Sequence, residues 1–381
     1  MPFTDVTKFE QRRELVELMS KPGVNRRELC RRYGVSPTTG YKWLDRYEAE
    51  GTDGLRERSR RPLSSPNKTP SRVERMVLEV RRNNSTWGGR KIRARLDALG
   101  LEDPPAPSTI TRILERHGKL REYGEYGQSW TPTRFERAEP NELWQIDFKS
   151  PMVIGGEKYH PLTVLDDRSR FSLCSGTPDN KQTETIKGEL TGVFSRYGLP
   201  RTILADNGVP WGSSYAGHNW TQLGVWLMRL GVEIIHSRPY HPETLGKAER
   251  YHRTLDEELL NFITVRHREQ LGRELEQFRH RYNFQRPHEA LELKTPAEVY
   301  RPSERGFPGR LREPEYGEDD AVRTASGPSG SFKFKNHRCF LGEPFQGMKV
   351  AVRPTLEDGV YDVYFLHRKI KQIDLNEDVT R

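Results

Sequence analysis

The spacing of apolar residues changes character twice along these 381 residues, and that limits the chain to three kinds of unit in a fixed order. Up to about residue 120 the apolar positions recur at helical spacing. From 140 to 302, alternating strand-like runs exchange with helices, and from 326 onward only short alternating runs remain. Hydrophobic residues make up 33% of the chain. That is below the roughly 45–50% of an average globular protein, so several small cores joined by polar linkers are expected.

The first helical stretch sets Leu15, Val16 and Met19 on one face and stops at Pro22-Gly23. Asn25 is placed to cap a second helix, with Glu28 three residues on as in a capping box. Leu29 and Tyr33 point inward there, and Gly34 ends it. Ser36-Pro37 opens a third helix carrying Tyr41, Trp43, Leu44 and Tyr47. Residues 1–54 thus follow the helix-turn-helix pattern. Its third helix would offer Thr38, Thr39, Lys42 and Arg46 to a DNA major groove, the plain alternative being a three-helix bundle with a basic surface.

Residues 55–70 are rich in Arg, Ser and Pro and read as a basic linker. Arg56, Arg58, Arg60 and Arg61 are either solvated or an arm laid in a minor groove. Residues 71–120 read as a second helix-turn-helix unit, winged-helix-like. Val73, Met76, Val77 and Val80 form its first stripe, WGGRKIRARLDALG its second helix, and Ser108 caps a third with Ile110, Ile113 and Leu114 inward and Gly118 at the stop. Arg90, Lys91 and Arg112 are its candidate phosphate contacts.

Charge points to the same partner. Lys and Arg number 63 against 54 acidic residues, a net charge of +9, which favours a polyanion. No apolar run approaches the roughly 20 residues of a membrane span, and MPFTDVTKFEQ lacks the apolar core of a signal peptide. Cys30, Cys174 and Cys339 stand far apart, with no CxxC pair or Cys/His ladder, so neither a zinc module nor a disulfide framework is signalled. A cytoplasmic protein facing DNA is expected.

After a connector at 121–139, LWQIDFKS puts Trp144, Ile146 and Phe148 on one strand face and Asp147 on the other. Gly155-Gly156 is a hairpin turn, KYHPLTVLDD a second strand and FSLCSGT a third. A helix over 183–197, the strand TILA ending at Asp206, a helix over 221–230, the strand VEIIH and a long helix from about Thr244 complete a mixed α/β sheet with helices on both sides. A linker at 303–325 leads to residues 326–381, read as a small antiparallel β-barrel. Lys333, Lys335, Arg368 and Lys371 would give that barrel a basic, DNA-facing side.

Three carboxylates stand in settings that invite chemistry. Asp147 interrupts an apolar strand, where an unpaired charge is expensive. Asp206 ends another short apolar strand, and Glu249 sits early in a helix beside Lys247, Arg250 and Arg253, which would hold DNA phosphates. Hard oxygen ligands suit Mg²⁺, and two such ions could serve phosphoryl transfer, with Asp147 bridging, Asp206 on one ion and Glu249 on the other. Plain salt bridging (Glu249 with Arg253, Asp147 with Lys149 or Arg168) is the alternative. Asp166 and Asp167 are competing ligands that also suit a turn with local ion pairs.

The stretch Trp144–Phe148, LADNG around Asp206, HPETLGKAERYHRTL around Glu249 and NFQRPHEALELKTPAEVY together resemble the DDE transposases of bacterial insertion sequences, with their retroviral-integrase-type core. The last signature takes in Asn283, Arg286, Pro287, His288, Leu291, Thr295, Pro296 and Tyr300, and WGGRKI and PSTITRIL resemble the family's second N-terminal module. The resemblance implies an RNase H-like core between two all-α helix-turn-helix domains and an SH3-like barrel, with the catalytic and metal-binding triad at Asp147, Asp206 and Glu249. It implies Mg²⁺ or Mn²⁺, two ions per site, and binding of element-end inverted repeats and target DNA. Water would attack at the element's end, and the freed 3′-hydroxyl would then attack target DNA directly. It also implies a homodimer or higher oligomer, because two ends must meet. Two departures stand out: no His/His/Cys/Cys zinc module is present, and Asp206 and Glu249 lie 43 positions apart, longer than in many relatives, with the extra length assigned to WGSSYAGHNW. A transcription regulator on a degenerate integrase core is the alternative function, disfavoured by the presence of all three carboxylates.

Overall fold

The computed structural model describes residues 7–58, 68–120, 136–212, 220–237, 245–311 and 313–376. Arg60, Arg61 and most of WGSSYAGHNW lie outside the described residues. The chain divides into two compact units, Met1–Lys68 and Thr69–Arg381.

The first unit holds α1 (Lys8–Met19), α2 (Arg26–Arg32) and α3 (Pro37–Glu50), closed by a 3₁₀ turn over Gly51–Leu55. The expected stripes meet in one core of Leu15, Val16, Met19, Leu29, Cys30, Trp43, Leu44 and Leu55. Asn25 caps α2 by accepting from the Glu28 amide, but Glu28 does not reach back and pairs with Arg31 instead. The reciprocal capping box is at Thr7 and Glu10. Gly40 lets α3 cross α2 closely: a Cβ there would lie 2.3 Å from Cys30 Sγ.

In the second unit, α4 (Ser71–Asn83), α5 (Gly89–Ala98) and α6 (Pro107–Arg116) enclose Val77, Val80, Trp87, Ile92, Leu96, Ile110, Ile113 and Leu114. Pro107 takes the first position of α6 after Ala106, so Ser108 lies inside the helix and caps nothing. Among the described residues of 71–120 there is no strand, and hence no wing.

The central sheet runs β5-β4-β1-β6-β7. Its strands are β1 (Leu143–Phe148), β4 (Leu162–Asp166), β5 (Ser172–Gly176), β6 (Thr202–Ala205) and β7 (Glu233–His236). β1 is antiparallel to β4 and parallel to β6, giving the expected mixed sheet. KYHPLTVLDD is not one strand. Pro161 offers no amide for a ladder, so β3 (Glu157–Tyr159) pairs instead with β2 (Met152–Ile154) across Gly155-Gly156, both at positive φ. One sheet face packs α7 (Thr183–Tyr197) and α8 (Gln222–Arg229) over Trp144, Ile146 and Val164. The other packs α9 (Gly246–Glu258) and α10 (Arg268–Phe284) over Leu165.

The NFQRPHEALELKTPAEVY signature finishes this core. Asn283 makes hydrogen bonds of 2.8 Å to both the amide and the carbonyl of Ser172 on edge strand β5. Thr295 opens α11 (Pro296–Val299) with a capping box, and Tyr300 stacks on Phe171 at 4.3 Å. Residues expected in a linker continue on the core: Arg305 donates to the carbonyls of Pro200, Leu230 and Gly231, and Phe307 and Leu311 pack against the sheet cluster.

The C-terminal region is all-β, but its strands do not close a barrel among the described residues. They form a four-stranded antiparallel sheet of β13 (Arg368–Asp374), β12 (Val360–Phe365), β11 (Lys349–Pro354) and β8 (Ala321–Thr324), plus a separate hairpin of β9 (Ser331–Phe334) and β10 (His337–Phe340). β8 falls within the stretch 303–325. Phe332, Phe334, Phe345, Val363 and Phe365 share their core with Val225 and Met228 of α8. No helix among the described residues is long and apolar enough to cross a membrane.

Candidate active site

Gln145 of β1 lies level with Leu204 of β6. Two residues farther along each chain stand Asp147 and Asp206, on one side of the sheet because side chains alternate. Glu249 belongs to the first turn of α9, and a side chain two residues before Asp147 seats that turn. Gln145 Oε1 accepts from the Ala248 amide at 3.1 Å while Gln145 Nε2 donates to Asp167 Oδ1 at 3.0 Å.

Asp147 senses the charges of both Asp206 and Glu249. The Asp147 carboxyl is pushed up to about 6, first by burial, then by the charge of Asp206, with Glu249 adding to the rise. Lys181, whose Nζ sits 4.6 Å from the centre of the Phe148 ring, pulls the other way. Asp206 Oδ1 accepts from the Gly208 amide at 3.0 Å, and Asn207 donates to the Ser237 carbonyl at 2.9 Å, fixing the turn after β6.

His252, one turn beyond Glu249, backs Asp147. Thr163 Oγ1 donates to the Asp147 carbonyl at 3.0 Å and lies 2.8 Å from His252 Nε2, so that nitrogen carries the proton; Nδ1 faces Asp147 Oδ2 at 3.7 Å. Burial, then Lys149, brings the imidazole down to about 4. Lys149 itself pairs with Asp256 at 2.9 Å and Arg168 with Glu136 at 2.8 Å, so neither neutralises Asp147.

Among the described residues no three His, Cys, Asp or Glu side chains form a closed metal-holding group. The donor set at Asp147, Asp206 and Glu249 nevertheless suits a hard divalent cation: it is all oxygen, and the negative charges of Asp206 and Glu249 bear on Asp147. Asp166 and Asp167 are structural. Asp166 accepts from the amides of Asn141 and Ser169 and from Ser169 Oγ. Asp167, fully buried, accepts from the Arg137 amide and Gln145 and pairs with Lys247 at 2.6 Å.

That pair corrects the reading of Lys247 as a DNA contact, since it faces inward, while Arg250 and Arg253 are exposed. Of the other candidates, Thr38 and Lys42 are exposed, Thr39 lies 2.9 Å from its cap Ser36 Oγ, and Lys42 and Arg46 flank the Trp43 ring. Arg56 pairs with Asp53, Arg58 with Glu50. Arg90 and Arg112 are exposed, whereas Lys91 is half-buried. In the β region Lys333 is exposed, but three neighbours are in structural use. Lys335 bonds Tyr361, Arg368 lies over Trp220, and Lys371 donates to the Phe340 carbonyl at 2.7 Å, tying the hairpin to the sheet. Gln145, His252, Thr163 and Lys181 escaped sequence reasoning. Gln145 alone left a signal, as a polar residue on the Asp147 side of an apolar strand.

Family models match along most of this architecture: a helix-turn-helix domain over 11–62, a homeodomain-like domain over 39–114, integrase core domains over 137–242 and 230–296, and the IS481 family transposase C-terminal domain over 320–380. The Insertion element IS407 uncharacterized 31.7 kDa protein of Burkholderia multivorans is 26% identical over 42% of this chain and 55% of its own length. The corresponding IS476 protein of Xanthomonas euvesicatoria is 27% identical over 42% and 44%. The Gag-Pro-Pol polyprotein of squirrel monkey retrovirus is 29% identical over 30% of this chain and 6% of the polyprotein. The chain therefore spans about half the length, or far less, of these curated relatives. A chain of the simian T-cell lymphotropic virus intasome in complex with PP2A regulatory subunit B56 gamma aligns at 14% identity and a TM-score of 0.39, over 78% of this chain and 95% of that one.

Fold and site thus define an integrase-core protein with helix-turn-helix domains at its N-terminal end. The chain belongs to the insertion-sequence transposases with an integrase-type core, and its C-terminal region is of the IS481 family.

Proposed function

We propose that this chain binds the terminal inverted repeats of its element and carries out metal-dependent 3′-end cleavage and strand transfer into target DNA. The observation that carries the reading is the rise of the Asp147 carboxyl, caused by burial and then by the charges of Asp206, from the neighbouring strand, and Glu249, from α9. An Asp147 held in a surface ion pair would not be raised in this way.

Asp147, Asp206 and Glu249 would hold two Mg²⁺ or Mn²⁺ ions. When bound, such ions activate the attacking oxygen and stabilise the leaving one. The chain's own residues do the rest. Gln145 holds the first turn of α9, which carries Glu249, and the Thr163–His252 contact fixes the Asp147 backbone. Lys181 supplies positive charge beside Asp147 where a phosphate would enter. The helix-turn-helix domains would bind the element end, and pairing of two ends would need at least a dimer.

The test is joining of labelled terminal-repeat DNA to a target plasmid with Mg²⁺. Wild type should join, and Asp147→Asn and Glu249→Gln should lose at least about a hundredfold while still binding the repeat. Equal joining by these variants would refute the site, and repeat binding without any joining by wild type would favour a regulator.

A further inference from the structure

Lys91 leaves α5 toward the catalytic core and finds no partner there. Among the described residues it makes no hydrogen bond and no ion pair, though it is only partly exposed. Its ammonium is held down to about 8 by burial first and by Arg286 next, with Arg250 adding repulsion and Glu258 and Glu289 opposing. Glu258 is already committed. Its Oε1 accepts from Thr86 Oγ1 at 2.6 Å and from Arg286 Nε at 3.1 Å, and the Glu258 and Arg286 side chains are 6% and 8% exposed. Arg250, the neighbour of Glu249, is exposed and its guanidinium also lacks a partner among the described residues.

His288 belongs to the same cluster. It is 9% exposed, its Nε2 has no hydrogen-bond partner, and it feels the charges of Arg286, Lys91, Arg170 and Arg250. Of these cations, Arg170 is answered by Glu136 at 3.4 Å and Arg286 by Glu258. Two cations, Lys91 on α5 and Arg250 on α9, both bear on His288 and have no ion-pair partner among the described residues. A part-buried ammonium without a counter-ion is costly unless an anion completes it.

We propose that Lys91 and Arg250 together bind one backbone phosphate of DNA, at the seam between the α4–α6 domain and α9, over the Glu258–Arg286 pair. A phosphodiester offers a single charge on several acceptor oxygens, matching a point-like ammonium and a guanidinium fork. The site rests on the DNA-end reading above and deepens it. A phosphate held beside residue 249 sets the register of the duplex bound by the α4–α6 domain against the three carboxylates.

The test uses the full chain, without metal, and a duplex of the element's terminal sequence carrying one neutral methylphosphonate at each backbone position in turn. One position should cost wild type about tenfold in affinity. Lys91→Met and Arg250→Met should each lose a similar factor on unmodified DNA and nothing further at that position. Each should lower the slope of log affinity against log salt by about 0.9, and the double variant by no more, because a single phosphate is involved. Lys91→Met without DNA should be at least as stable as wild type.

Wild type that binds the duplex but shows no position cancelled by both substitutions would overturn the site and leave the functional reading intact. A Lys91→Met protein less stable than wild type would also overturn it, since Lys91 would then have an internal partner. Wild type that binds no duplex removes the functional reading and this site with it.

Discussion

Replacing Lys247 by Met separates a structural cation from a DNA-binding one. Lys247 Nζ lies 2.6 Å from Asp167 Oδ1, with the lysine side chain 17% exposed and the aspartate 0%. It also donates to the Asp167 carbonyl at 3.1 Å. The substitution leaves a fully buried carboxylate whose remaining donors among the described residues include the Arg137 amide and Gln145 Nε2. Breaking one side of such a buried pair costs about 3–5 kcal/mol. With a guanidinium slope of about 5 kcal/mol/M, a loss near 3.5 kcal/mol lowers the unfolding midpoint of the second unit by about 0.7 M. Adding Asp167→Asn should return more than half of it, since the stranded charge goes too. Equilibrium denaturation of wild type, the single and the double variant checks this, with repeat-DNA affinity measured in parallel. A midpoint unchanged within the equivalent of about 0.5 kcal/mol, together with weakened DNA binding, would refute the inward role and restore Lys247 as a phosphate contact.

Lys91 gives a pH signature. Its folded pKa, about 8, lies below the ordinary 10.5, so its charge destabilises the fold fully below pH 8 and not at all above 10.5. Wild type should therefore gain stability relative to Lys91→Met as pH rises from 8 to 10.5, measured by urea unfolding at each pH. Gly40→Ala should cost the first unit about 1–3 kcal/mol, because its Cβ would meet Cys30 Sγ at 2.3 Å; thermal unfolding should show recovery when Cys30→Ala is added. Gln145→Leu strands the Ala248 amide and a buried acceptor at Asp167, costing about 1–3 kcal/mol. It should lower strand joining more than repeat binding, and equal loss of both would deny Gln145 a positioning role.

What could be read in the sequence follows the physics of each segment. β1, β6 and α9 were legible because Asp147 and Asp206 break or end apolar strands and because Glu249 sits in a polar helix start. The direction of the α9 cations was harder, since Lys247 and Arg250 are adjacent in composition and opposite in environment. Helical spacing held the clue: Lys247 shares a stripe with Tyr251 and Leu255, both buried, while Arg250 and Arg253 do not. The split at Pro161 follows from its missing amide, a signal that alternation over the run masked. Ser108 yielded to Pro107 as helix start because two residues competed for adjacent positions. The open β region and the buried Thr86–Glu258–Arg286 link depend on contacts between residues far apart in sequence, which no local pattern encodes.

The packing of α8 has a consequence for how this protein can be cut. Leu223 and Leu227 fill the sheet's core, while Val225 and Met228 on the same helix fill that of the C-terminal strands. Trp220, just ahead of the helix, lies under Arg368 and packs edge-on to Phe345. α8 is thus a party wall between two rooms. Removing the last 60 or so residues at a boundary drawn from sequence would not liberate a smaller catalytic core. It would turn one side of an interior wall out to water and leave the strands on the other side without a floor.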